Sequence, residues 1–183
     1  MDLLNANVSG DEILKITAAQ NNCFQSDSFV RLVKLLAAHK QTLSVAESCT
    51  GGLIGKLITD VSGASSVFCG GMITYTNEVK INNLGVRRET IDRVSEVSFE
   101  VAAEMAQRAR EVFKTDFAIS ATGFAGPDGE REDAPVGTVF VSVASCDFCY
   151  SFRLSIPNKG RDYIRRTTAE FLAHKLEEFV SKS

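Results

Sequence analysis

Helical and strand-like patterns alternate along this chain, and that alternation restricts its possible folds more than any other feature of the sequence. Buried strand-like runs predict strands at 42–46, 67–75, 117–121, 139–143 and 150–154. Apolar residues at helical spacing predict helices at 27–39, 53–58, 77–84, 98–114 and 160–180. Strands separated by helices form mostly parallel sheets with helices on both faces, and the last two strands read as a hairpin. We therefore predict an α/β domain whose sheet contains one antiparallel strand.

The length and charge of the chain exclude several classes of protein. Its 183 residues, 44% of them apolar, are enough for one domain with a single core. The net charge of −3 provides no positive field for nucleic acid, and no apolar run approaches the roughly 20 residues that span a bilayer. The acidic residues 1–15 lack the basic and apolar regions of a signal peptide. We expect a cytoplasmic protein that binds neither nucleic acid nor membrane.

The first 26 residues are less regularly patterned than those that follow. We predict that residues 1–26 form an N-terminal extension and that 27–183 form the domain. Within the extension, Ile13, Leu14 and Ile16 are spaced as on a short helix.

The cysteines indicate a reducing compartment. There are five, an odd number scattered along the chain rather than arranged as a disulfide framework. Cys146 and Cys149 form a CxxC sequence, which occurs in redox and zinc sites. Here it lies between two strand-like runs, without a second CxxC or a nearby histidine, and this favours a hairpin turn. We expect no metal and no cofactor.

Ser48 lies where the first predicted strand gives way to a helix. The opening amides of a helix lack intrahelical partners, and Gly51 and Gly52 allow a ligand to approach the backbone. This arrangement suits an anion or a developing oxyanion beside the Ser48 hydroxyl. A purely structural interpretation, in which Ser48 or Thr50 only caps the helix, stays open. A glycine-rich loop at 122–129 also follows a strand, so both loops are predicted to border one cleft.

A nucleophilic serine requires a base, and the two histidines do not suit that role. His39 and His174 lie on predicted helices, away from the carboxyl ends of strands. A lysine acts as a base when burial lowers its pKa enough to leave the amine neutral. Lys80 is the candidate, because it follows a strand and has Tyr75 and Asn77 nearby. The alternative is a solvated lysine on a helix.

Four basic residues crowd the start of the last predicted helix, where the helix dipole disfavours positive charge. They are Lys159, Arg161, Arg165 and Arg166. A bound anion such as phosphate would explain them, because it pairs with guanidinium groups and with helix amides. A solvated basic face explains them as well.

Four segments stand in the order and spacing of a known family. They are AESCTGG at 46–52, TYTNEVK at 74–80, TGFAGPDG at 122–129 and PVGTV at 135–139. On these segments the chain resembles the CinA carboxy-terminal domain family of competence/damage-inducible proteins, over about residues 28–180. The characterised enzymes of that family are nicotinamide-nucleotide amidases. The resemblance implies a three-layer α/β/α fold with a mixed, mostly parallel five-stranded sheet, similar to anticodon-binding domains.

The resemblance also implies an activity, the hydrolysis of nicotinamide mononucleotide to nicotinate mononucleotide and ammonia in pyridine-nucleotide salvage. It implies that Ser48 is the nucleophile, that Lys80 is its base and that Tyr75 assists. The residues expected to bind the substrate are Cys49, Thr50, Gly51, Gly52, Asn77, Thr122, Gly123, Arg161 and Arg165. The turn amides would stabilise the oxyanion, and Arg161 and its neighbours would hold the 5′-phosphate. We expect a stand-alone form of the domain, and its apolar helices favour a homo-oligomer.

The sequence departs from the family pattern at Ser62, which stands where proline is usual, and in two segments. RVSEVS at 93–98 replaces a more typical Gly-Ala-Val-Ser stretch. In the loop at 126–136, Glu130 and Arg131 stand where small residues are common, and Ala134 stands where lysine is frequent. Two alternatives to the Ser48 amidase stay open. One is a non-catalytic nucleotide-binding or regulatory domain, and the other is an amidase that uses Cys49.

Overall fold

The structure, a computed structural model, describes residues 13–14, 27–129 and 131–181. The strands are β1 Ile13–Leu14, β2 Leu43–Glu47, β3 Phe68–Ile73, β4 Phe117–Gly123, β5 Thr138–Ala144 and β6 Cys149–Ser155. The helices are α1 Asp27–His39, α2 Leu53–Thr59, α3 Asn77–Val79, α4 Arg88–Val94, α5 Phe99–Phe113 and α6 Arg161–Val180. A 3₁₀ turn, Ala64–Ser66, precedes β3, and a π-helical turn, Lys80–Leu84, continues α3. None of the described helices is long and apolar enough to cross a membrane.

The strands form one sheet in the order β1-β6-β5-β4-β2-β3. Strand β5 is antiparallel to both of its neighbours, β4 and β6, and every other pair in the sheet is parallel. All described strands except β5 therefore point in one direction. This confirms the predicted mostly parallel sheet of five strands, β2 to β6, with one antiparallel member.

The short strand β1 adds a sixth strand beside β6. Ile13 pairs with Arg153 and Leu14 pairs with Leu154. The predicted short helix is therefore wrong at Ile13 and Leu14, and its third residue, Ile16, lies outside the described residues. The backbone groups along the edge of β6 can form hydrogen bonds with these two residues. The periodicity of the local sequence does not predict such pairing with a distant strand.

Helices α1, α2 and α6 cover one face of the sheet. Leu36 of α1, Ile58 of α2 and Leu172 of α6 belong to one buried cluster, together with Val45 of β2 and Val141 of β5. These positions follow the helical and alternating spacing on which the elements were predicted. The cluster forms the larger core of the domain.

Helices α4 and α5 cover the opposite face, so the three-layer α/β/α arrangement is confirmed. Met105 of α5 packs with the small residues Ala46 and Ala118 of the sheet. The Ser120 hydroxyl donates to the Ala102 carbonyl of α5 at 2.6 Å, which shows how closely this helix approaches the sheet. Helix α4 was not predicted, because Ile91 is its only buried apolar residue and provides no periodic pattern.

The CxxC sequence lies at the turn between β5 and β6. The Ser145 amide donates to the Phe148 carbonyl at 2.8 Å and closes the turn. Cys146 is exposed, Cys149 is the buried first residue of β6, and both thiols are free. The predicted hairpin turn is therefore confirmed.

Candidate active site

The carboxyl ends of three parallel strands meet at one edge of the sheet. Strand β2 lies between β4 and β3, so the residues that end these strands are neighbours. Ser48 directly follows β2, Thr74 directly follows β3, and Thr122 is the penultimate residue of β4. A cavity of about 230 Å³ opens at this edge, as expected for a ligand site in an open α/β sheet.

Seven of the residues predicted from the sequence line this cavity. They are Ser48, Cys49, Tyr75, Lys80, Thr122, Gly123 and Arg161. The loops after β2 and β4 therefore do border one cleft. Among residues 27–129 and 131–181, no group of three or more His, Cys, Asp or Glu side chains is arranged to hold a metal ion.

Ser48 and Lys80 are in direct contact at the bottom of the cavity. The Lys80 Nζ donates to the Ser48 Oγ at 3.1 Å and to the Thr74 carbonyl at 2.8 Å. Lys80 has no exposed surface, and Ser48 is 8% exposed. The backbone places Lys80 at the start of the π-helical turn, a distortion that often accompanies functional sites. The chain thus pairs a hydroxyl with an amine across 32 residues.

Burial lowers the pKa of Lys80 below its ordinary value of 10.5. The negative charge of Glu96 opposes this effect, but the loss of hydration dominates. A lowered pKa increases the fraction of neutral amine near pH 7. A neutral amine has a lone pair that can accept the Ser48 proton, while the bond to the Thr74 carbonyl keeps the nitrogen in place.

Tyr75 and Thr122 border the same cavity, but they differ in exposure to solvent. The Tyr75 side chain is 57% exposed, at the mouth of the site. Thr122 has no exposed surface, and its hydroxyl donates to the Glu96 carbonyl at 2.8 Å. Thr122 therefore joins the end of β4 to the segment between α4 and α5.

The carboxylate of Glu47 occupies the start of α2. Its Oε2 accepts from the amides of Gly52 at 3.0 Å and Ile54 at 3.1 Å, and its Oε1 accepts from the amide of Gly55 at 2.8 Å. The prediction that the opening amides of this helix are free is wrong for these residues. A negative charge already lies at the helix start, so a second anion is disfavoured there.

Two amides of the turn have no oxygen acceptor among the described residues, although the Cys49 amide also faces its own sulfur. No carbonyl or carboxylate oxygen of the described residues accepts from the amides of Cys49 or Thr50. Arg165 holds the turn in place, because its Nε donates to the Cys49 carbonyl at 2.7 Å.

Five of the predicted substrate-binding residues lie outside the lining of the cavity. Thr50, Gly51, Gly52 and Arg165 line a shallower depression next to it. Asn77 is half-buried at the start of α3 and lines neither. A role for these five in substrate binding stays a prediction.

The basic cluster at the start of α6 is divided among several contacts. Lys159 lies over the Tyr163 ring, with 5.1 Å between its Nζ and the ring centroid. Arg166 forms an ion pair with Asp162 at 2.7 Å. Arg161 is exposed and lines the cavity that contains Ser48 and Lys80. A positive charge therefore stands at the mouth of this cavity.

The model of one protein family, the CinA C-terminal domain, matches residues 26–180 of this chain. The chain belongs to this family. The match includes every element from α1 to α6 and all residues of the cavity.

Relatives and solved structures agree with this membership. A CinA-like protein of Shewanella sp. (strain W3-18-1) is 45% identical over 128 residues, which are 70% of this chain and 30% of the relative. A protein of Thermoanaerobacter sp. (strain X514), whose name contains the words competence-damage inducible, is 48% identical over 137 residues, 75% of this chain and 33% of the relative. This chain thus spans about a third of the length of these curated relatives.

Crystal structures of the same superfamily have the same fold. The competence/damage inducible protein CihA from Agrobacterium tumefaciens superimposes with a TM-score of 0.82 at 32% identity, covering 84% of this chain and 93% of that protein. A CinA superfamily protein from Escherichia coli has a TM-score of 0.82 at 26% identity, covering 94% of this chain and 98% of that protein.

Several residues of this CinA cavity were not assigned from the sequence. They are Glu96, Val97, Phe124, Ala125, Gly126 and Asp128. The last four lie inside the glycine-rich loop, so their segment was identified but not their individual positions. Glu96 lies in the segment that departs from the family pattern. The preceding residue, Ser95, has a φ of 70°, a conformation that favours glycine.

Proposed function

We propose that this CinA domain hydrolyses nicotinamide mononucleotide to nicotinate mononucleotide and ammonia through an acyl-enzyme on Ser48. The observation that supports this most directly is the 3.1 Å contact between the Lys80 amine and the Ser48 hydroxyl inside a cavity. A place in cytoplasmic pyridine-nucleotide salvage belongs to the same proposal.

The first step transfers a proton within this pair. The neutral Lys80 amine accepts the Ser48 proton as Oγ forms a bond to the carboxamide carbon. The carbonyl oxygen then carries the negative charge of a tetrahedral intermediate. The available amides of Cys49 and Thr50 are the donors that can stabilise that oxygen.

The second step breaks the carbon–nitrogen bond. The Lys80 ammonium, held by the Thr74 carbonyl, returns the proton to the departing nitrogen, and ammonia leaves. Lys80 is then neutral again and can accept a proton from water that attacks the ester. That attack releases the nicotinate product and restores the Ser48 hydroxyl when Lys80 returns the proton.

The phosphate of the substrate requires a positive partner near the mouth of the cavity. Arg161 lines the cavity and is exposed, so it can approach a phosphate that stays partly hydrated. The start of α2 does not provide a second anion site, because the Glu47 carboxylate already accepts its amides. This supports a substrate orientation with the carboxamide at Ser48 and the phosphate towards α6.

The proposed function is tested with the purified chain and nicotinamide mononucleotide. We expect ammonia and nicotinate mononucleotide in equal amounts, measured by a coupled ammonia assay and by chromatography. The Ser48→Ala variant is expected to release ammonia only at the background rate, because it retains the pocket without the nucleophile. Binding of the mononucleotide without ammonia release from the unmodified chain would indicate a non-catalytic nucleotide-binding domain.

The alternative nucleophile, Cys49, is opposed by its surroundings. Burial raises the pKa of this thiol to about 12, so the reactive thiolate is scarce at pH 8. Iodoacetamide at pH 8 is therefore expected to label the exposed thiols Cys69 and Cys146, leave Cys49 unlabelled and leave ammonia release intact. Peptide mass spectrometry identifies the labelled cysteines. Loss of activity in proportion to labelling of Cys49 would contradict the Ser48 mechanism.

A further inference from the structure

An acidic side chain lines the cavity beside Ser48 and Lys80, and the mechanism above does not use it. Glu96 is half-buried, and the structure shows no ion pair to it from the described residues. Its carboxylate accepts from the Ser95 hydroxyl at 2.8 Å and from its own amide. A carboxylate in a partly dehydrated cavity is stabilised by a cation, and here the ligand can provide one.

The backbone around Glu96 is held firmly. Thr122 donates its hydroxyl to the Glu96 carbonyl at 2.8 Å, and the Ser98 hydroxyl donates to the Ser95 carbonyl at 2.9 Å. Burial favours the neutral acid, but the hydrogen bonds to the carboxylate and the charges of Arg131 and Lys80 outweigh it, so the pKa of Glu96 lies below its ordinary value. Glu96 is therefore ionised near neutral pH.

Both basic and acidic side chains lie around the cavity. Arg161 stands at its mouth, on the start of α6, and Lys80 is buried beneath Ser48. Asp128, on the loop after β4, is an exposed second acid of the lining. Arg131 lies behind Phe124, with 5.6 Å between its guanidinium carbon and the ring centroid, and it pairs with Asp133. The lining thus contains the Glu96 carboxylate and the Phe124 ring.

We propose that Glu96 is a specificity-determining residue whose carboxylate recognises the positively charged pyridinium ring of the substrate. This inference rests on the proposed function. The ring nitrogen lies two bonds from the ring carbon that carries the carboxamide, so a carboxamide at Ser48 brings the ring charge into the same small cavity. A quaternary ring nitrogen has no proton to donate, so its recognition depends on charge and on packing against an aromatic ring such as Phe124.

This arrangement selects between two redox forms of one nucleotide. The oxidised mononucleotide has a cationic ring, whereas its dihydropyridine form has a neutral ring with the same carboxamide, ribose and phosphate. Glu96 stabilises the first and not the second.

The test compares both mononucleotides by calorimetry in the Ser48→Ala background, where neither is consumed. Addition of Glu96→Gln is expected to weaken binding of the oxidised form roughly tenfold and of the dihydropyridine form by less than about twofold. Addition of Glu96→Asp, which retains the negative charge, is expected to preserve most of the preference for the oxidised form over the dihydropyridine form. Glu100→Gln removes the same charge from an exposed ion pair with Arg93 outside the cavity and is expected to leave both affinities unchanged.

The ratio of the two affinities decides the proposal, because a change in fold or in phosphate binding alters both ligands alike. A loss of charge on Lys80 would favour the cationic form and so oppose the expected result. An equal loss for both forms, or no loss for either, would overturn the role of Glu96. Ammonia release by the unmodified chain is measured in parallel and decides the proposed function separately. If neither mononucleotide binds the Ser48→Ala chain, the role of Glu96 is wrong, and ammonia release by the unmodified chain alone decides the proposed function.

Discussion

Replacement of Lys80 by methionine is expected to lower kcat for ammonia release by roughly 10³-fold and to change KM by less than about threefold. In the proposed mechanism the amine accepts the Ser48 proton and later protonates the leaving nitrogen, so its loss is expected to affect the transition state much more than substrate binding. Methionine approximates the length of the lysine stem and contains no amine. Because Lys80 has no exposed surface, the variant is expected to fold at least as stably as the unmodified chain.

The pH dependence of this pair provides an independent measurement. If the neutral amine is the base, kcat/KM rises with pH through the pKa of Lys80, which burial places below 10.5. The pKa of Lys80 is lower in the folded chain than in the unfolded chain. At a pH between these two values the unfolded chain binds more protons, so the free energy of unfolding rises with pH. The contribution of Lys80 to stability is therefore lost as the pH falls through its folded pKa. The stability advantage of Lys80→Met is therefore expected to be larger at pH 7 than at pH 10.

Urea unfolding at both pH values and steady-state kinetics test these expectations together. A Lys80→Met variant that turns over within about tenfold of the unmodified rate would show that another group removes the Ser48 proton. Glu78→Ala provides a control, because Glu78 is an exposed residue of α3 whose ion pair with Arg88 lies at the surface. Its effects on rate and stability are expected to be small.

Replacement of Glu47 by alanine is expected to lower the free energy of unfolding by about 3 kcal/mol, a large share of the stability of a typical domain. This carboxylate is 1% exposed and accepts three amides at the start of α2. Without it those amides lose their acceptor, and the negative charge that complements the helix dipole disappears. Ser48 is the next residue in the chain, so catalysis is expected to fall as well.

Urea unfolding of Glu47→Ala, Glu47→Gln and the unmodified chain measures this contribution. Glutamine retains one acceptor oxygen but turns an NH₂ group towards an amide, so its loss is expected to be intermediate. A loss below about 1 kcal/mol for alanine would show that water replaces the carboxylate at little cost. Surface substitutions such as Glu78→Ala are expected to stay within about 0.5 kcal/mol.

The pairing of Ser48 with Lys80 was accessible from the sequence for physical reasons. Both residues follow strands, and the carboxyl ends of neighbouring parallel strands lie together. The histidines lie on helices, which left Lys80 as the candidate base, with a solvated helix lysine as the open alternative. The resemblance in four segments then implied the same two residues. The structure adds the 3.1 Å contact and the complete burial of the amine.

Other parts of the site could not be read from local patterns. Glu47 lies in the AESCTGG segment at 46–52. Its three hydrogen bonds to backbone amides depend on where the start of α2 lies relative to the end of β2. The contact of Arg165 with the Cys49 carbonyl spans 116 residues and was not expected, while its role in binding the substrate stays a prediction. Each contact joins two elements whose relative positions depend on tertiary packing. The spacing of residues along the chain does not predict those positions.

The sequence by itself determined the α/β class, the mostly parallel sheet and the two loops that border the cavity, because hydrophobic periodicity and glycine-rich strand ends are local properties. Only the tertiary structure decided which amides are occupied, which basic residue faces the cavity and where the Glu96 carboxylate lies. Those outcomes follow from competition among distant polar groups for the same partners during burial, and that competition takes place only when the layers pack together.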